Sequence, residues 1–193
     1  MRAFVTLVPA SFALSGCLSP FIDAADGYNA ILNEISSAQQ SADQLPTSGS
    51  ATYSGHLLIS AFNDAQSLGD FLGDVELDAT FNAGGAQIAG EATNFADSAT
   101  EEPVSGRIAL TNGVLDRTAS LINPDTPSAG HSFSVNGDGT LTNGAGDTFA
   151  FDTGIYGDVV GDGARLLTGQ VTGGSTVNGT PARAGGTLVA RQD

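Results

Sequence analysis

Between Asp74 and Phe81 the chain alternates strictly, with Asp74, Glu76, Asp78 and Thr80 polar and Val75, Leu77, Ala79 and Phe81 apolar. A period of two gathers the apolar set on one face and the acidic set on the other, which predicts a β-strand with one buried and one wet side. Related patterns recur from Ala51 onward, at Ile88-Ala89-Gly90-Glu91-Ala92, at Val104 to Leu110, at Phe133 and Val135, at Phe149 and Phe151, at Leu167, Gly169 and Val171, and at Thr187, Val189 and Arg191. Asn112-Gly113 reads as a tight hairpin turn, because a type I′ turn needs positive φ at both central positions. Residues 114–121 are then expected to run back antiparallel. Two prolines make residues 123–128 a loop. The tally is eight strands, or nine if 114–121 stands alone.

Antiparallel strands with one wet face must stack as a sandwich or close on themselves, because open edges invite aggregation. Residues 51–193 offer 143 positions, and eight strands of roughly 10 residues with connections of about 6 use about 130. The expected fold is therefore mainly β: an eight-stranded antiparallel up-and-down barrel, with a jelly-roll sandwich as competitor. Glycines at 55, 90, 106 and 169 would let strands bend in a small barrel. A membrane-spanning barrel is not expected, because Asp74, Glu76 and Asp78 stand where a lipid-facing band would be apolar.

One helix is expected before the barrel, over residues 23–44, where Tyr28, Ile31, Leu32 and Ile35 share a face and Asp23 serves as cap. Leu45-Pro46-Thr47-Ser48-Gly49-Ser50 reads as a linker. The apolar stripe is expected to pack on the chain's own barrel, as most amphipathic helices do, with a partner as the other possibility.

At the start, an apolar run from Ala3 to Ala13 behind Arg2 ends in Leu14-Ser15-Gly16-Cys17, which contains the single cysteine of the chain. The run is too short to span a bilayer, which takes about 20 apolar residues. The tetrapeptide resembles the lipobox of bacterial lipoproteins, and the resemblance implies diacylation of the Cys17 sulfur and cleavage just before it. An ordinary secretory signal is the plainer alternative. Two or three acyl chains anchor stably where one does not, and by the same resemblance Leu18 favours the outer membrane, leaving its face open. The expected organisation is a signal peptide at 1–16, a lipidated anchor, helix and linker at 17–50, and a barrel at 51–193.

The mature chain would carry five arginines, no lysine and 21 acidic residues, a net charge of −16. Such a field disfavours nucleic acid and favours cationic partners, although acidic surfaces also serve solubility alone. With Cys17 acylated no disulfide is available, so the core alone must hold the fold.

Phe149-Ala150-Phe151-Asp152-Thr153-Gly154-Ile155-Tyr156-Gly157 resembles the Gly-x-Phe-Tyr-Gly signature in the β-barrel domain of transferrin-binding protein B and related surface lipoproteins. Ala51-Thr52-Tyr53-Ser54-Gly55, Leu77 to Gly84 with Ile88-Ala89-Gly90, and Gly185-Gly186-Thr187-Leu188 are similar to further pieces of that domain. The resemblance implies a surface-displayed binding barrel. Ile155 replaces the family's Phe, Asp158 its Pro, and residues 159–166 lack its glutamate-containing segment. The chain has room for one barrel and no handle domain, so the host-protein surface of that family is not expected here.

Little in the sequence points to bond chemistry. His56 and His131 fall in separate strands without acidic or cysteine partners at ligand spacing, no serine lies in a Gly-x-Ser-x-Gly elbow, and Glu101-Glu102 read as solvated loop charge. Asn136, Asp138, Thr140 and Asp147 match part of a calcium-loop count, but Leu141 stands where glycine is required. No enzyme, metal or cofactor is expected. The sequence predicts an outer-membrane lipoprotein whose barrel binds an unidentified solute or protein, in the manner of iron or haem capture. A structural, envelope-organising lipoprotein and a lipocalin-like carrier are the alternatives. Inward Phe81, Phe133, Phe149 and Phe151 argue for a filled barrel.

Overall fold

The computed structural model describes residues 20–38, 45–64, 66–117 and 131–193. The signal segment with Cys17, residues 39–44 of the expected helix and the proline-bearing loop at 123–128 lie outside them. One helix, α1 (Pro20–Ser37), precedes eight strands: β1 (Gly49–Asn63), β2 (Gln66–Asn82), β3 (Gly85–Asp97), β4 (Ser105–Asp116), β5 (His131–Thr142), β6 (Thr148–Val160), β7 (Leu166–Val177) and β8 (Thr180–Gln192). Each strand pairs antiparallel with the next, and β8 closes on β1, so the barrel follows chain order throughout. That order is the up-and-down barrel and leaves no jelly-roll crossover; closure pairs the edges that an open sheet would expose.

The alternation of residues 74–81 is realised as read, with Val75, Leu77, Ala79 and Phe81 buried and Glu76, Asp78 and Thr80 exposed. The inward set of all eight strands forms one cluster that includes Leu57, Phe71, Leu77, Phe95, Ile108, Phe133, Leu141, Phe149, Phe151 and Ile155. Phe71 meets Phe149 edge to face at 4.7 Å between ring centres and Phe151 at 6.4 Å, an arrangement in which the positive edge of one ring faces the negative face of another. The barrel is filled.

Two features seal the end where β1 begins. Tyr53 points inward and its hydroxyl donates to the Ala164 carbonyl at 2.7 Å, tying down the short 3-10 turn Asp162–Ala164 between β6 and β7. Burial pushes the Tyr53 hydroxyl pKa up to about 12, since the phenolate would lose its hydration there. Arg117, just past β4, donates to the carbonyls of Leu45 and Asn82, each at 3.0 Å, and to that of Pro46. Leu45 is buried in the barrel cluster. The segment that reads as a linker is thus strapped to the barrel rim, and β1 already begins at Gly49.

The structure corrects two local expectations. Asn112-Gly113 is no hairpin: β4 runs straight through it, and Val114 to Asp116 continue the same strand beside β5. Asn112 takes a left-handed φ of 54° inside a β-bulge, where the register slips against both β3 and β5. The strands therefore number eight among the described residues: 114–116 belong to β4, and 118–121 lie outside the described residues. Asp23 lies in the first turn of α1, inside a helix that Pro20 opens; proline suits that position because its fixed φ is helical and its missing N–H has no partner to lose. Gly55, Gly90 and Gly106 each admit a neighbouring strand's carbonyl to 2.0–2.1 Å from where a Cβ would stand, Gly106 at φ 115°.

Candidate binding cleft beneath helix α1

Helix α1 lies on the outside of the barrel. Ile31 joins Val160, Leu166 and Val189, outward residues of β6, β7 and β8, in a second apolar cluster flanked by Tyr28, Leu32 and Ile35. The stripe packs at home, as expected. Glu34 reinforces the seat, accepting a hydrogen bond from Arg165 at 2.9 Å and lying 3.8 Å from Arg191.

Nearer its start the helix crosses β1 and β2 at Gly27. A Cβ on Gly27 would stand 2.4 Å from Nε2 of His56, so the missing side chain is what lets the helix close over that ring. His56 pairs in register with Asp74 across β1 and β2, and its Nδ1 is 3.3 Å from Asp74 Oδ1. The contact falls short of a well-formed hydrogen bond, and it is an ion pair only when the ring is protonated. Burial lowers the imidazole pKa, and the pull of Asp74 in the opposite direction only partly offsets it. Asp74 Oδ2 accepts from Asn94 Nδ2 at 3.1 Å. Asn94 sits at φ 52° where β3 slips register against β2, so a second bulge turns this amide toward Asp74.

These residues help line a cleft of about 480 Å³, together with Ala30 and Ile31 of α1, Glu76 and Glu91 of β2 and β3, and Arg191 and Asp193 at the C-terminal end of β8. Glu76 faces Glu91 directly across β2 and β3. Arg107, outside the lining, lies 3.5 Å from Glu91. With the imidazole's affinity for a proton lowered by burial and Arg191 drawn toward Glu34, the cleft keeps an acidic balance that suits a cationic or hydrogen-bond-donating group. Two further recesses also lie on the outer wall, one along Asp78, Gln87 and Asn112, the other along Asp138, Asp152 and Gly174.

Other residues singled out in the sequence stand apart. Cys17 lies outside the described residues. His131 opens β5, three strands from β2 in barrel order. The calcium-like count is not a loop: Asn136, Asp138 and Thr140 are exposed along extended β5. Asp147 belongs to the following turn, where its N–H donates to Asn143 Oδ1 at 2.9 Å and its carboxylate accepts from Asn178 at 2.8 Å. Among the described residues no group of three or more His, Cys, Asp or Glu side chains is placed to hold a metal ion.

The cleft itself is not apparent from spacing. One signal for it exists, the lone Gly27 inside an otherwise helical pattern, since glycine there costs about 1 kcal/mol against alanine and so marks a packing reason. Comparison with known proteins adds no identity: no family model, no curated protein and no solved structure matches the chain.

Proposed function

We propose that this chain is a lipoprotein of the bacterial outer membrane, acylated at Cys17, whose barrel captures a solute or protein through its outer wall and turns, in the service of iron or haem acquisition. The observation that carries the reading is the filled interior: aromatic and aliphatic side chains occupy the barrel axis, and the concave surface lies outside, beneath α1. A carrier holding an apolar ligand within would need a few hundred Å³ of internal space, which those rings take up. The acidic wall steers cationic groups toward the cleft and repels polyanions.

The test is display on intact cells. The chain has no lysine, so amine-reactive labels report poorly on it; an epitope inserted between Asn178 and Gly179, in the β7–β8 turn, serves instead. The reading predicts antibody staining of intact cells, lost when Cys17→Ala removes the anchor. Staining that requires permeabilised cells would refute external capture.

A further inference from the structure

We infer that helix α1 is a strut that holds the barrel's outer wall at the bilayer surface, with Phe21 and Ile22 seated where lipid headgroups meet acyl chains. The inference rests on the acylation of Cys17 proposed above. Leu18 and Ser19 alone separate Cys17 from Pro20, and three Cα steps reach at most about 11 Å. The first turn of α1 therefore lies at the membrane whenever Cys17 is anchored in it.

The helix is fastened to the barrel and is not a leash. Ile31 is 4% exposed against Val160, Leu166 and Val189, Gly27 abuts the His56 ring, and Glu34 engages Arg165. The barrel must follow wherever the first turn is held. In that turn Ile22 is 38% exposed and Phe21 half-buried, apolar side chains that gain by leaving water for the interfacial layer. The partner is a lipid surface of low charge, because Asp74, Glu76 and Glu91 on the adjoining wall oppose anionic headgroups. Gly27 stands seven residues into the helix, about 10 Å along its axis. The cleft consequently opens within about 20 Å of the acylated residue, beside the membrane and not out in the medium.

The experiment uses the full acylated chain on phosphatidylcholine vesicles carrying a spin-labelled lipid with the quencher just below the headgroup. The chain has no tryptophan, so Ile22→Trp and Thr140→Trp, the latter exposed on β5 across the barrel from α1, each give one reporter. Ile22→Trp should lose about half its emission, as expected for an interfacial side chain, and Thr140→Trp should lose none. Adding Gly27→Leu to Thr140→Trp should free the barrel from its seat and shorten the slow component of its anisotropy decay. Vesicle-bound protein in which Ile22→Trp is unquenched, or in which the barrel tumbles freely with Gly27 intact, overturns the strut and leaves the anchor standing. Protein that never binds vesicles overturns both.

Discussion

Phe71 shows how much of the barrel rests on single inward side chains. It is fully buried and meets both Phe149 and Phe151, so Phe71→Ala removes a ring and leaves a hole its neighbours only partly fill. The expected cost is about 3–5 kcal/mol, read as a lower midpoint in urea unfolding. A change under about 1 kcal/mol would mean the interior collapses easily and is not tightly packed. His56 makes a different prediction, in pH. Its folded pKa lies below the ordinary 6.5, so as pH falls through that value the unfolded chain takes up a proton that the folded chain refuses. Stability is therefore lost with acid, and the loss stops once the folded ring protonates. Unfolding measured between pH 7.5 and 5 should show His56→Gln gaining stability relative to the native chain as pH drops. A constant difference between the two would mean the ring is as free as in water.

At the scale of elements, α1 and β4 are the instructive pair. The seat of α1 is mostly apolar: Arg165 and Arg191 are more than half exposed, so Glu34→Ala should cost about 0.2–1 kcal/mol. Ile31→Ala should cost about 2–5 kcal/mol of helix seating, seen as faster hydrogen exchange in α1 with the barrel unchanged. Strand β4 shows why the sequence misleads at Asn112-Gly113. Inward positions are even before it, Ile108 and Leu110, and odd after it at Leu115. A hairpin and a bulge both account for Asn-Gly, but only a bulge accounts for a phase change within continuing strand. The same switch marks β3, from Ile88 and Ala92 to Phe95 across Asn94. Because Asn112 is the surplus residue, deleting it should leave a folded barrel within about 1 kcal/mol of the native. Loss of the cooperative transition in the deletion variant would show that the bulge itself is required.

For the whole molecule, the architecture was legible and the cleft was not. Strict alternation and chain length lead to an eight-stranded barrel, and the phenylalanines lead to its filled interior, because both depend on which face each residue takes. The cleft depends on register and on helix seating. His56 meets Asp74 only once the register of β1 against β2 is set, and Gly27 matters only once α1 is laid over that pair. The account as a whole joins this filled barrel to a lipid anchor read from Leu14-Ser15-Gly16-Cys17. Intact mass spectrometry of the chain extracted from bacterial membranes tests that join most directly. The account predicts a species that begins at Cys17 and is heavier than the bare polypeptide by two or three fatty acyl chains on that residue. A mature chain of any length that carries no acyl group would contradict it.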